Sequence, residues 1–374
     1  MHPLCGSNIS TLSSVLAQSG GIAPKNWGHL AGIFGAALGR WPFSTVEHVY
    51  AAHLISQTTA MKPPIFIVGH WRSGTTHLYN IISKANFGYV PPLATGLPWD
   101  LMGIATIFRP LLERALPDHR FIDNVPILPD SPQEDEIALA NMTPLSFYHG
   151  IYFPKKLDHY LNKGIFFDGC TQEEIKAWQK TFNYFLKKLY LHQDEKQLLI
   201  KNPVYTARVR MLHEMLPSAK FIYINRNPYE IFESMRNFWK KLLKEFALQD
   251  YDHVDIDRTI LRIYDRMMTQ LEEDWAHLPL TARVDLRYEE LVADPIAAVE
   301  TIYESLALEG FDEAHPRFQA YLSTVKTYKK NRYTYTDEAA ELVERNWGRF
   351  LEQWSYRRPG SDLLKNSASG AQTT

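Results

Sequence analysis

The sequence predicts an α/β fold, a parallel β-sheet flanked by helices on both faces. Three observations predict it. Short apolar runs at 65–68, 197–200 and 219–224, the first of them rich in β-branched residues, read as buried strands. Stretches with helical spacing alternate with them, as successive strand–helix units require. The first run leads into Gly69-His70-Trp71-Arg72-Ser73-Gly74-Thr75-Thr76 and then into Leu78, Ile81 and Ile82 at helical spacing. A strand, a glycine-containing loop and a helix together cradle anions, because loop N–H groups point inward and the positive end of the helix dipole faces the ligand.

Taken in order, residues 1–24 show little periodicity beyond a short helix near 12–16. Between 27 and 54 the apolar positions fit two helices, broken around Trp41-Pro42. They fit a membrane-leaning or acceptor-covering arm, or helices packed on the main domain, the commoner case because amphipathic helices usually bury their apolar stripe on their own protein. Residues 1–60 therefore read as a helical extension packed on a main domain at 61–360, with 361–374 as a frayed tail. The stretch 87–120 is apolar, aromatic and broken by prolines. Its Trp99, Leu101, Met102, Ile104, Ile107 and Phe108 fit either the wall of an apolar binding site or plain core packing. Next, Ser131 can cap a helix with Pro132 at its first position and Glu134-Asp135-Glu136 in its first turn. A helix at 178–191 follows. The strand at 197–200 ends in Lys201-Asn202-Pro203, and ligands of parallel sheets sit beyond strand carboxyl ends. A helix at 208–216 precedes the strand that runs into Asn225-Arg226-Asn227-Pro228. Ser234 lies eight residues after Arg226, two helical turns on. Arg258, Arg262 and Arg266 share a helix face near an acid-rich stretch, which suits ion pairing. A last strand is expected at 282–286, and helices at 295–307 and 338–352.

The chain has 374 residues, 45% of them hydrophobic, enough for a large core, and no linker-like stretch divides it. Its 40 basic and 42 acidic residues give a net charge of −2, which argues against a general nucleic-acid binder and leaves room for local basic pockets, so no nucleic-acid partner is expected. Two distant cysteines, Cys5 and Cys170, make no disulfide framework, so a reducing, cytoplasmic setting is expected. No uncharged apolar run is long enough to span a bilayer. Peripheral membrane contact and oligomeric state stay open at this level.

The loop has the glycine spacing of a phosphate-binding P-loop, but Thr75 stands where that loop carries lysine, and the cation comes earlier, at Arg72. Arg72-Ser73-Gly74-Thr75-Thr76 resembles the 5′-phosphosulfate loop of the sulfotransferases. The resemblance implies a P-loop-like core and 3′-phosphoadenosine 5′-phosphosulfate (PAPS) as cofactor. It makes Arg72, Ser73, Gly74, Thr75, Thr76 and His77 cofactor-binding. No metal is implied, since that nucleotide has no triphosphate to bridge. Arg226 with Ser234 resembles the family's 3′-phosphate motif. Lys201 resembles a strand-end lysine that touches the transferring sulfonate, and Arg72 joins it in the catalytic set. The acidic stretch looks like the matching one in many bacterial members, so either Glu134 or Glu136 is expected to take the proton of an acceptor hydroxyl. His149 is a competing base. Late basic residues around Lys329, with Lys330 and Arg332, resemble a segment that closes over the nucleotide. The implied activity is transfer of a sulfonate to a hydroxyl-bearing small molecule or lipid. Two alternatives stand beside it: a P-loop kinase or NTPase, which would want lysine at 75, and a nucleotide- or lipid-binding module without catalysis.

Overall fold

The computed structural model describes residues 2–58, 60–114, 116, 128–325 and 336–358. Four strands form one sheet: β1 (Ile65–Val68), β2 (Leu199–Lys201), β3 (Lys220–Asn225) and β4 (Arg283–Arg287), in the order β2-β1-β3-β4. Every pairing is parallel. Ile65 sits opposite Leu199 on one side and Lys220 on the other, and Phe221 sits opposite Arg283. Parallel neighbours require crossover connections, which run through α3 (Thr75–Ile82), α4 (Glu136–Met142), α5 (Gln172–His192), α6 (Pro228–Phe246) and α7 (Ile256–Ala276), with further helices and turns between; α1 (Ile9–Gln18) and α2 (Trp27–Gln57) precede β1, and α8 (Tyr288–Ala293), α9 (Pro295–Ser305), α10 (Phe311–Val325) and α11 (Asp337–Gln353) follow β4.

Side chains alternate across the sheet, and each set builds its own core. Phe66, Val68, Ile200, Phe221 and Tyr223 face one side and pack with residues of α5, α6, α7 and α11. Ile65, Ile67, Leu199, Ile222, Ile224 and Leu286 face the other and pack with α3, α9 and α10. Helices cover both faces, as expected. Among the described residues no helix is long and apolar enough to cross a membrane.

The N-terminal expectations need correction. Residues 2–24 are not loose: Asn8 caps α1, and Leu4, Leu12 and Val15 are buried. The two helices expected at 27–54 are one, running through Pro42. A proline costs one backbone hydrogen bond, but here the helix is pinned on both sides of it. Arg40 pairs with buried Asp100 and donates to the carbonyls of Cys5 and Ser7, at 2.6 and 2.8 Å. Ser44 reaches the same aspartate at 2.6 Å. One turn on, Glu47 lies 2.5 Å from Lys188 and accepts the N–H groups of Met102 and Gly103, at 2.8 and 2.6 Å. Lys188 in turn donates to the carbonyls of Pro98 and Trp99, at 2.8 and 3.1 Å.

Ser131 is not a helix cap. Its hydroxyl accepts the Leu128 N–H at 2.8 Å, and α4 starts five residues later, at Glu136. The reason lies in the site, where Asp135 and Glu136 are pulled toward β2. Arg262 and Arg266 are ion-paired, but to Asp158 and Asp168 on another segment. The tail at 361–374 lies outside the described residues.

Candidate active site

The strand order reverses at β1 and β3, and such a switch point leaves a crevice beyond the strand carboxyl ends. The loop that follows β1 fills its floor. Gly69 (φ 142°) passes so close to β3 that a Cβ there would lie 2.4 Å from the Ile224 carbonyl oxygen. Its N–H donates to Thr206 Oγ1 at 2.8 Å. Gly74 (φ 102°) has no room either, since a Cβ would lie 2.2 Å from the ring of Tyr288. Arg72 itself adopts a left-handed backbone, φ 70°, a conformation held at a cost of about 1–2 kcal/mol for a residue with a Cβ. Helix α3 opens at Thr75 without a side-chain cap, and the first amides of a helix have no partner within it. Ser73 is buried, and its hydroxyl has no hydrogen-bond partner among the described residues. An unmet buried hydroxyl beside an uncapped helix start fits an anionic ligand. His77 lies in the first turn of α3.

The second strand end comes to meet the loop. Arg72 Nε donates to Ser234 Oγ on α6, 2.7 Å away. Arg226, which follows β3, donates to the Arg72 carbonyl oxygen at 3.1 Å and lies over the Tyr288 ring, 4.3 Å from its centre. Its Nε also holds Glu230 at 2.7 Å. The structure thus brings Arg72, Arg226 and Ser234 into one cluster. Sequence reasoning missed Glu230 and Tyr288. Glu230 sits four residues after Arg226 on a helix, a spacing that pairs opposite charges, so that signal was present.

The third strand end carries Lys201. Its ammonium donates to Glu134 at 2.5 Å and to Thr76 Oγ1 at 3.3 Å. The two acidic candidates part here. Glu134 sits beside Lys201, with its side chain 17% exposed. Glu136 is fully buried and faces away, into a polar cluster. Asn202 Nδ2 donates to Asp135 at 2.9 Å and to Glu136 at 2.8 Å. Tyr205 donates to Asp135, and Ser146 to Glu136 at 2.7 Å. Burial pushes both carboxyls up to about 7, against the hydrogen bonds and, for Glu136, the nearby Arg208. Residues 134–136 are thus clasped by 201–205, and the clasp fixes Glu134 against the lysine. His149 is a packed histidine: its ring nitrogens face the carbonyls of Pro144 and Ala140, at 3.1 and 2.9 Å, and burial lowers it to about 4.

The clasp has a measurable pH signature. Unfolded carboxyls titrate near 4, so between about pH 4 and 7 the folded chain holds more protons than the unfolded one. Stability from these two groups is therefore present at low pH and falls as pH rises through 7. Asn202→Leu removes two donors to the carboxylate forms and is expected to cost about 3 kcal/mol at pH 8 and less at pH 5. Urea unfolding at both values checks this, and an equal loss at both would refute it.

Lys329, with Lys330 and Arg332, lies outside the described residues. A cavity of about 410 Å³ between 154–159 and 253–262 is lined by the Arg262–Asp158 pair and by none of the site residues. Among the described residues no three His, Cys, Asp or Glu side chains converge at metal-binding distance.

A parallel sheet with an anion loop at its switch point, facing basic side chains from two further strand ends, defines a group-transfer enzyme with a P-loop-like core. The family model described as "Sulfotransferase family" matches residues 63–313, and the chain belongs to that family. It is a sulfotransferase, and the kinase or NTPase alternative falls away. The chain is 29% identical over 323 residues to the omega-hydroxy-beta-dihydromenaquinone-9 sulfotransferase Stf3 of Mycobacterium bovis and of Mycobacterium tuberculosis, covering 86% of this chain and 81% of the relative in each case. The crystal structure of the sulfotransferase STF9 from Mycobacterium avium superposes with a TM-score of 0.65 at 15% identity, covering 93% of this chain and 96% of that one. For STF1 of Mycobacterium tuberculosis H37Rv the TM-score is 0.59 at 17% identity, with 90% of each chain covered. At those identities the likeness concerns the fold.

Proposed function

We propose that this enzyme moves the sulfonate of PAPS to the hydroxyl of an apolar, lipid-like alcohol. The observation that carries the nucleotide half is the Arg72–Ser234 hydrogen bond, which joins the loop after β1 to the helix after β3. A ligand with phosphates at both ends of its ribose needs both. When bound, PAPS supplies an activated sulfonate on a good leaving group. In this reading Arg72, Ser73, Gly74, Thr75, Thr76 and His77 line the phosphosulfate end. Arg226 and Ser234 take the 3′-phosphate, the arginine through its planar fork of donors. Glu230 holds that fork in readiness and gives it up to the incoming anion. Glu134 receives the acceptor's proton at its carboxylate, while Lys201 neutralises charge on the oxygen that departs. Residues 61–360 form the catalytic domain, with 1–60 as the extension on it.

Two observations support the acceptor class. The relative named above carries a hydroxylated menaquinone derivative in its name. In this chain Ile107, Phe108 and Leu111 are more than half exposed, an apolar surface of the kind that greets a lipid chain. Such an acceptor implies transient contact with a lipid surface.

Titration with adenosine 3′,5′-bisphosphate tests the nucleotide half. Arg72→Ala and Arg226→Ala are each expected to weaken binding about 10–100-fold. Unchanged affinity in both, with the fold intact, would sink the assignment. For the base, Glu134→Gln is expected to lower kcat about 10²–10⁴-fold with nucleotide affinity intact, whereas Glu136→Gln is expected to leave kcat largely unchanged and to shift only the pH dependence of stability. Assay with labelled donor against amphiphilic and hydrophilic alcohols decides the acceptor class.

A further inference from the structure

Helix α2 is built the wrong way round for a helix facing water. Of its 31 residues only Arg40 and Glu47 are charged, and both turn inward to Asp100 and Lys188. Its outer face carries four glycines, Gly28, Gly32, Gly35 and Gly39. A Cβ at any of them would meet nothing within 4 Å. Glycine inside a helix costs about 0.8–1 kcal/mol relative to alanine, and no contact among the described residues uses the space it leaves. The same stripe continues with Phe43, Val46 and Tyr50, exposed by 60%, 70% and 55%. Trp27, Leu38 and Val49, all more than half exposed, flank it.

The order along this stripe is self-complementary. From Gly28 to Tyr50 the steps are four, three, four, four, three and four residues, the same read from either end. One half is all glycine and the other all bulky. We propose that α2 pairs antiparallel with α2 of a second copy of this chain, about a two-fold axis at Gly39. In that pair Gly39 faces Gly39 of the second copy, Gly35 faces Phe43, Gly32 faces Val46, and Gly28 faces Tyr50. Each large side chain enters the gap left by a glycine, and the backbones approach closely where the axis passes. A two-fold contact demands a patch that complements itself, and this stripe does. A bilayer would read only apolar area and would be indifferent to the mirrored order, so the second copy is the better occupant.

Light scattering on the size-fractionated full chain, with matching sedimentation runs, tests this. The native chain is expected to have twice the mass of one polypeptide. Gly35→Phe places two bulky rings face to face and Phe43→Gly leaves a hole, so each is expected to run as a single chain. The double variant Gly35→Phe/Phe43→Gly restores one ring opposite one glycine in both contacts and is expected to return to the doubled mass. Thermal melts of Gly35→Phe should show no loss of fold, because its ring enters open space. In a Cys5→Ser/Cys170→Ser background, Gly39→Cys is expected to cross-link to itself under mild oxidation, since the two Cα atoms would lie within disulfide reach. A native chain of single mass at high micromolar concentration overturns the proposal. So do single variants that stay paired, or a double variant that fails to recover. Binding of a single-mass chain to neutral phosphatidylcholine vesicles, unchanged by Gly35→Phe, would assign the face to lipid instead.

Discussion

Lys201→Met is expected to lower turnover about 10²–10³-fold while adenosine 3′,5′-bisphosphate still binds within a few-fold of the native affinity. Lys201 ends β2 beyond the sheet's carboxyl edge, 2.5 Å from Glu134 and 3.3 Å from Thr76. Its charge is placed where transfer builds charge, and a preorganised donor of that kind is worth about 3–4 kcal/mol in the transition state. Methionine keeps the unbranched stem and removes the charge together with its N–H donors. Glu134 is left without its cation but is partly exposed, so it can turn to water and the fold should hold. Single-turnover measurement of labelled donor, beside equilibrium binding, separates the two effects. A loss of binding equal to the loss of rate would mean that Lys201 holds the nucleotide and does not act on the reaction.

Gly74→Ala is expected to abolish nucleotide binding and to destabilise the chain by about 2–4 kcal/mol. Two independent causes add. The backbone at φ 102° is strained for any residue with a Cβ, and the new atom would lie 2.2 Å from the Tyr288 ring. That ring is the platform for Arg226, so displacing it disturbs the second phosphate contact as well. Gly74→Ala/Tyr288→Ala should recover part of the stability, because the clash goes while the strain of about 1–2 kcal/mol stays. It should not recover binding, because the arginine has lost its support. Denaturant midpoints and titration of the three proteins check the order. Full recovery of affinity in the double variant would show that Tyr288 only occupies space.

The sheet, the loop and the arginine–serine pair were legible because they are local. A β-branched run, a glycine pair and a fixed spacing report directly on backbone. What the sequence did not disclose depends on distant partners. Nothing around Pro42 says that the helix continues, because what holds it there is Asp100, buried on another segment. Three acids in a row after Ser131-Pro132 imitate a helix start, and the competing force is Asn202, which holds the second and third of them, so that the helix begins only at the third. The same pull decides which acid meets Lys201. Glu134 and Glu136 are equivalent in composition and differ only in which side of a buried cluster they fall. The acceptor side was least legible, because an apolar, proline-broken stretch suits a wall and a core equally well.

The tie between α2 and the Pro98–Gly103 backbone has a consequence for any attempt to graft substrate preference from one relative to another. Glu47 and Lys188 neutralise each other where neither touches water, and between them they secure four backbone groups of that connecting stretch. Cutting away the leading helices would strand a cation in apolar surroundings and release the very strip that precedes the exposed apolar turns. The arm and the strip are therefore one cassette: a chimera that exchanges either half alone inherits a misfit, and one that exchanges both carries its own electrostatic lock with it.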